Sequence, residues 1–178
     1  MSIAPPVLLV DGYNIIGAWS ELKSLRDRDL EAARDRLVDT LINYTASKGY
    51  HTQVVFDAHF QTTPKFRETQ TPYLSVYYTA YGETADTYIE KFCATNSRQG
   101  KVVQQRLIVA TSDRAQQLTV SGYGAEWLSA QQLANDVIGA KRKTKSKQRS
   151  RRKSQGRFLM DALDPKAQKQ LSKLRQSL

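Results

Sequence analysis

The pattern of apolar and polar positions changes period repeatedly along the first 140 residues. Short, mostly apolar runs occupy positions 7–10, 53–56, 74–78, 107–110 and 125–128. Runs of this length, bounded by turn residues, are typical of strands in the interior of a sheet. Segments with helical spacing separate most of these runs, so the pattern predicts an α/β fold with a mainly parallel central sheet.

Two of the predicted helices carry clear end signals. Residues 30–48 have apolar side chains at helical spacing, with Asp29 as the N-cap and Gly49 as the stop. A second helix opens at residues 83–86, where Thr84 can cap its first turn. Both segments therefore predict amphipathic helices that pack against the sheet.

The remaining connections are predicted from turn and capping residues. A helix is expected over 114–120, and the capping box in residues 129–132 starts another. Residues 17–20 are predicted to form a loop. The polar stretch around Pro64 and Pro72 is predicted to be a second, longer loop.

The positive charge of the chain is confined to its C-terminal part. Residues 1–140 contain 13 Lys and Arg against 15 Asp and Glu, net −2, whereas residues 141–178 contain 14 against 2, net +12. We therefore expect a domain over 1–140 and a basic tail over 141–178, with a polyanionic partner. Ten basic residues among the 17 of segment 141–157 predict disorder in the free protein. A short amphipathic helix is expected near 165–176.

Cysteine and histidine usage excludes several classes of site. The single cysteine, Cys93, cannot form an intramolecular disulfide and is predicted to be a small core residue. Neither His51 nor His59 has a partner at metal-binding spacing, so both are predicted to lie on the surface or in loops. Because no signal peptide or long apolar run is evident, we expect a cytoplasmic protein that does not enter membranes.

Four aspartates lie where strands end or helices begin. Asp11, Asp57 and Asp113 each follow an apolar run, and Asp86 opens a helix. If the strands are parallel, all four lie at one edge of the sheet, where open α/β sheets bind ligands. Carboxylates gathered in this way repel each other unless a cation neutralises them. Oxygen ligands without cysteine or histidine favour Mg²⁺ or Mn²⁺ over Zn²⁺.

Four motifs together resemble the NYN domain of the YacP type. They are Asp11-Gly-Tyr-Asn14, Val55-Phe56-Asp57, Glu83-Thr-Ala-Asp86 and Ala110-Thr-Ser-Asp113. The resemblance covers roughly residues 6–140 in the family's order and leaves the basic tail outside. It implies a PIN-like three-layer α/β/α sandwich, the fold of a family that includes a ribosome-associated bacterial mRNA endonuclease.

The resemblance also implies roles for individual residues. Asp11, Asp86 and Asp113 would be the metal-binding catalytic acids. Asn14 would orient Asp11 or a metal-bound water, and Asp57 would be another acid of the same pocket.

Three other side chains have expected roles that are less defined. Glu83 would be a further metal ligand. Thr111 and Ser112 would either contact phosphate or cap the helix that follows them.

The resemblance implies a Mg²⁺- or Mn²⁺-dependent endoribonuclease that cleaves mRNA by attack of metal-activated water, on or near the ribosome. The basic tail is expected to bind RNA, ribosomal RNA included, mainly through phosphates and with little sequence preference, because segment 141–157 lacks aromatic residues. The residues expected to make these contacts are Lys141, Arg142, Lys143, Lys145, Lys147, Arg149, Arg151, Arg152, Lys153 and Arg157.

Two other interpretations of the same residues are open. One is a non-catalytic RNA- or ribosome-binding module with a PIN-like fold. The other is a phosphatase of the haloacid dehalogenase class, which also uses an aspartate after the first strand. That class usually needs a second aspartate two residues later, where this chain has Tyr13.

Overall fold

The computed structural model describes residues 4–58, 66–98 and 105–161, with the backbone alone from 149 onward. These residues contain a six-stranded sheet. The strands are β1 (Val7–Asp11), β2 (His51–Phe56), β3 (Phe66–Thr71), β4 (Leu74–Tyr78), β5 (Leu107–Ala110) and β6 (Glu126–Leu128). The helices are α1 (Gly12–Ala18), α2 (Ser20–Arg26), α3 (Leu30–Lys48), α4 (Ala85–Arg98), α5 (Arg114–Gly122) and α6 (Ala130–Asp161).

The sheet has the order β3-β4-β2-β1-β5-β6, and all neighbouring strands are parallel except β3 and β4. The central strand β1 is in register with both neighbours, since Val10 pairs with Val54 of β2 and Ala110 of β5. The carboxyl ends of β1, β2 and β5 therefore lie side by side. This confirms the predicted mainly parallel sheet.

Each face of the sheet is covered by its own apolar cluster. Leu8 and Val10 of β1 pack with residues of α1, α2, α3 and the start of α6 on one face. Leu9 of β1 packs with residues of α4 and α5 on the other, where Cys93 is also buried. Alternate residues of one strand thus serve two helical layers. The predicted PIN-like three-layer α/β/α sandwich is confirmed.

Several predicted helix ends are present as hydrogen bonds. The carboxylate of Asp29 accepts from the backbone N–H of Ala32, and Gly49 ends α3 in the left-handed conformation with φ 66°. At the start of α6, Ser129 and Gln132 bond each other's backbone N–H reciprocally, as in a capping box. These ends depend on local side chains, which explains why sequence alone identified them.

The loop predicted over residues 17–20 is wrong, because α1 and α2 occupy this region. The Asp11 carboxylate caps α1, and Ile15 and Ile16 are buried against the sheet. Trp19 ends α1, begins α2, and donates its indole N–H to the carbonyl of Ala130. Each helix has only 7 residues, which is too short for helical spacing to be recognised.

The predicted polar loop around Pro72 is also partly wrong. Residues 66–71 form β3, an antiparallel edge strand whose side chains are nearly all exposed. Pro72 lies in the turn to β4. An edge strand with solvent on both faces carries no apolar alternation, so its sequence looks like a loop. Pro64 and His59 lie outside the described residues.

Disorder was expected over 141–157, but this segment belongs to α6. Lysine, arginine and glutamine are good helix formers, and repulsion between like charges a turn apart costs only about 0.2–0.5 kcal/mol per pair. No proline lies between the capping box and Asp161, so none interrupts α6 over its described length. The helix expected near 165–176 lies outside the described residues.

The chain divides into two compact units, Met1–Ala140 and Lys141–Leu178. In the second unit, the side chains described, those of residues 141–148, are all exposed. No helix within the described residues is both long and apolar enough to span a lipid bilayer.

Candidate active site

The four aspartates lie at one end of the sheet, as the parallel strands require. Asp11 is the last residue of β1, and Asp57 directly follows β2. Asp113 follows β5 and caps α5, and Asp86 lies in the first turn of α4. Within the described residues, none of the four forms an ion pair with a basic side chain. Among the described residues, no ion pair therefore compensates the charge of these carboxyl groups.

Asp11 is the buried member of this group, with 7% of its surface exposed. Burial is the main reason why the pKa of its carboxyl group rises to about 7. The hydrogen bond from the Asn14 backbone N–H opposes this rise, whereas the charges of Asp86 and Asp57 add to it. A side-chain hydrogen bond to Asp86 favours the protonated form of Asp11 further. Asp11 thus keeps a proton at a pH where an ordinary aspartate is ionised.

Asp86 is the partner of Asp11 and is more open to solvent. Its pKa is also raised, first by desolvation and then by the charges of Asp113 and Asp57, while the hydrogen bond with Asp11 lowers it. The two carboxyl groups therefore share one hydrogen bond in which Asp11 is the donor. Such a pair holds a proton where a cation could be held instead.

Asp57 and Asp113 are engaged at helix N-termini. The Asp57 carboxylate accepts from the backbone N–H of Ala85, the first residue of α4. The Asp113 carboxylate accepts from the backbone N–H groups of Ala115 and Gln116, at 2.7 and 3.1 Å. Each carboxylate thus accepts from backbone N–H groups at the start of a helix, which have no partner within the helix itself. The charges of both carboxylates raise the pKa of Asp86.

No group of three or more His, Cys, Asp or Glu side chains lies close enough to hold a metal ion, within the part of the chain that the structure describes. The structure thus brings together Asp11 and Asp86, and it keeps Asp113 and Asp57 at their helix caps. The expected ligand set of Asp11, Asp86 and Asp113 stays a prediction.

Asn14 links α1, which directly follows β1, to the residues that follow β5. Its side-chain oxygen accepts from both the backbone N–H and the hydroxyl of Ser112, each at 2.6 Å. Its backbone N–H donates to the Asp11 carboxylate at 3.1 Å. Asn14 therefore orients Asp11 through the main chain, and its side chain fixes the spacing of the two strand ends.

The neighbouring Thr111 has a structural role in the described geometry. Its hydroxyl accepts from the backbone N–H of Asp113 at 3.0 Å, and the residue is fully buried. The side chain that caps α5 is that of Asp113, and Thr111 holds the backbone N–H of this capping residue. Ser112 is exposed, and its hydroxyl bonds Asn14.

Glu83 does not join the four aspartates by any contact that the structure describes. Its carboxylate forms an ion pair at 2.9 Å with Lys91 of α4, which lies eight residues later in the chain. Because that pairing neutralises Glu83, its expected role as a further metal ligand lacks support from the geometry.

Two residues of the site were not identified from the sequence. Gly12 lies so close to the ring of Phe56 that an added Cβ would overlap it, so only glycine permits this path after Asp11.

Gln116 on α5 is 3% exposed and donates from Nε2 to Oδ1 of Asp86 at 2.5 Å. Its Oε1 is buried and has no hydrogen-bond partner among the described residues, which is usually unfavourable by about 1–3 kcal/mol. The available signal was a glutamine four residues before Val120, on the inward face of α5.

The same fold and motifs occur in known proteins. A family model described as YacP-like NYN domain matches residues 8–176 of the chain. The chain belongs to this family. The match extends beyond residue 140 and so includes most of segment 141–178, which the sequence resemblance left outside. NYN domains have a nuclease-type fold.

Relatives in Bacillus subtilis support the assignment. The chain is 38% identical over 131 residues to the "uncharacterized protein YacP" of strain 168, which covers 74% of each protein. A crystal structure of Rae1 (YacP) from this organism superposes with a TM-score of 0.67 at 32% identity, covering 99% of this chain and 95% of that one. A point mutant of Rae1 gives 0.68 at 30% identity, covering 94% and 99%.

Proposed function

We propose that this protein is an endoribonuclease that uses Mg²⁺ or Mn²⁺ to cleave mRNA. The observation that carries the proposal is the pair formed by Asp11 and Asp86 at the carboxyl edge of the sheet. The two carboxyl groups share a hydrogen bond and have no basic partner among the described residues. They lie in a fold of the nuclease type.

The chemistry of the pair fits a hard divalent cation. Mg²⁺ is commonly held by one or two carboxylates, with water completing its coordination, so a third direct protein ligand is not required. Asp11 and Asp86 would hold the ion, and a dication would replace the proton that they share. Asp57 and Asp113 would add negative potential from their helix caps. A bound ion of this kind lowers the pKa of water and stabilises charge that develops on a phosphodiester.

The protein groups around the pair prepare it for this task. The backbone N–H of Asn14 holds one oxygen of Asp11, and the bond between Asn14 and Ser112 keeps the β1 and β5 ends together. Burial of Asp11 on one side and exposure of Asp86 on the other leave the pair accessible from solvent. RNA would meet the site from that side. Cleavage by water should leave a 5′-phosphate and a 3′-hydroxyl.

The basic segment of α6 is proposed to bind RNA phosphates. The side chains of Lys141, Arg142, Lys143, Lys145 and Lys147 are all exposed. The other five basic residues proposed for this role, from Arg149 to Arg157, have no described side chains. If about six phosphates of single-stranded RNA are neutralised, the log–log salt slope should be near −4. Ribosomal RNA in the cytoplasm is a proposed target of this segment.

The proposal is tested by cleavage of RNA with and without added metal. Wild-type protein should cut only when Mg²⁺ or Mn²⁺ is present. Asp11→Asn and Asp86→Asn should abolish cutting and leave RNA affinity unchanged, while Asp39→Asn, at an exposed position on α3, is the matched control. Cutting that survives both substitutions would show that the pocket is not the catalytic site.

One observation favours the alternative of a non-catalytic RNA- or ribosome-binding module. Asp57 and Asp113 are engaged as helix caps, and no three acids form a metal-holding group in the described chain. That module would bind RNA as tightly as a nuclease but would show no cleavage with any metal. The same assay therefore separates the two functions.

RNA binding by the tail is tested separately with charge-neutral variants. Lys141, Lys143, Lys145 and Lys147 are replaced together by glutamine, which keeps helix propensity. Each phosphate contact contributes about 0.7 to the salt slope on single strands, so the slope should become shallower by up to about 3. An unchanged slope and affinity would exclude this segment from RNA binding.

A further inference from the structure

Gln116 occupies a position where an apolar residue is expected. It lies on the inward face of α5, one turn before Val120, and both residues are buried. An amide at such a place is unfavourable unless its polar atoms are hydrogen-bonded. Nε2 satisfies this condition by donating to Oδ1 of Asp86, across 30 residues of sequence. Oε1 does not, because it has no partner among the described groups.

The orientation of the amide is fixed by charge. A carboxylate oxygen accepts hydrogen bonds, so Nε2 and not Oε1 must face Asp86. The backbone N–H of Gln116 meanwhile donates to the carboxylate of Asp113. One residue thus contacts two of the acids that the proposed function uses. Oε1 is left as a buried acceptor beside Asp86.

We infer that Gln116 is a positioning residue that holds one oxygen of Asp86 in place so that the other is free for a divalent metal ion. This inference rests on the proposed function and names a residue that acts through Asp86. A water bound to the ion is the kind of donor that Oε1 lacks, since Mg²⁺ keeps several of its waters in proteins. Residues behind a metal ligand typically change metal affinity about 10–100-fold when they are replaced.

A purely structural role makes the opposite prediction. If Gln116 only ties α5 to α4, its loss should lower stability and leave metal affinity unchanged. If it positions Asp86, methionine at 116 should lower metal affinity. Stability should not fall, because methionine fills a similar volume and removes the unpartnered oxygen.

The experiment measures Mn²⁺ binding to the full chain without RNA, by titration calorimetry or by the spin-resonance signal of free Mn²⁺. Gln116→Met should raise the dissociation constant about tenfold or more. Its melting temperature in EDTA should equal or exceed that of the wild type. Gln117→Met is the matched control, and its affinity should stay within about twofold of the wild type. Gln116→Leu repeats the test if the methionine variant does not fold.

A double-mutant cycle with Asp86→Asn isolates the coupling. In that background Gln116→Met should have no further effect on Mn²⁺ affinity, since the group that it positions is gone. If Gln116→Met binds Mn²⁺ as tightly as the wild type, or if the two substitutions have additive effects on Mn²⁺ affinity, the inference about Gln116 is overturned. The proposed function is not affected by that outcome. Wild-type protein that binds no Mn²⁺ would overturn the metal-dependent function and the inference together. Mn²⁺ binding without RNA cleavage would overturn the nuclease function and leave the role of Gln116 intact.

Discussion

Replacing Asp11 by asparagine should stabilise the fold at neutral pH while it abolishes cleavage. The folded protein holds the pKa of Asp11 at about 7, whereas its ordinary value is 3.8. Asparagine has the shape of the protonated acid. The oxygen of asparagine can accept from the Asn14 backbone N–H, and its NH₂ group can donate to Asp86. Unlike the acid, the amide does not ionise as pH rises.

The size of the expected gain in stability follows from the shift in the pKa of Asp11. A raised carboxyl pKa favours the folded state fully below pH 3.8, and this contribution is lost as pH rises through about 7. A shift of about 3 units corresponds to about 4 kcal/mol at most, since each unit is worth 1.36 kcal/mol. We expect Asp11→Asn to gain about 2–4 kcal/mol over the wild type above pH 7 and close to nothing near pH 4.

The measurement is thermal or urea unfolding in EDTA across this pH range. For a chain of this size a gain of 2–4 kcal/mol raises the melting temperature by roughly 5–15 °C. The stability of the control variant Asp39→Asn should change with pH in the same way as that of the wild type. A melting temperature for Asp11→Asn that is unchanged or lower above pH 7 would refute the reasoning, because Asp11 would then be ionised in the fold without strain.

Three further outcomes are expected. Mg²⁺ or Mn²⁺ should raise the melting temperature of the wild type at neutral pH and leave that of Asp11→Asn unchanged; equal shifts in both would place the ion elsewhere. Gly12→Ala should lower stability by about 1–3 kcal/mol in urea unfolding, because its Cβ would overlap the Phe56 ring, and a neutral result would mean that the ring moves freely. Asn14→Ala should keep the hydrogen bond from the backbone N–H of residue 14 to Asp11 but remove the bond to Ser112; kcat should fall more than RNA affinity, and equal losses in both would contradict a role confined to the site.

The parts of the fold that sequence predicted are those governed by local pattern. Apolar runs specified β1, β2, β4, β5 and β6, and single capping residues such as Asp29 and Ser129 specified helix starts. The convergence of the aspartates followed from parallel strands alone. Short helices, the exposed edge strand and the charged extension of α6 were missed, because their patterns match those of loops or disordered chains.

The details of the site depend on contacts between distant parts of the chain. Asp57 caps a helix that begins 28 residues later, and Gln116 meets an aspartate 30 residues earlier. No local pattern encodes either contact. Sequence could therefore gather the acids at one edge, but it could not tell which pair shares a hydrogen bond and which members are held by backbone N–H groups.

The two edge strands of the sheet, β3 and β6, have different features that disfavour pairing with a further strand. β3 presents charged and polar side chains, Arg67 and Glu68 among them, on a strand that is almost wholly exposed. β6 is only 3 residues long, and its Glu126 forms an ion pair with Arg106, the residue just before β5. A foreign strand would have to bury these charges or pair with too few backbone groups. Self-association through sheet extension is therefore disfavoured at either border, even at high protein concentration.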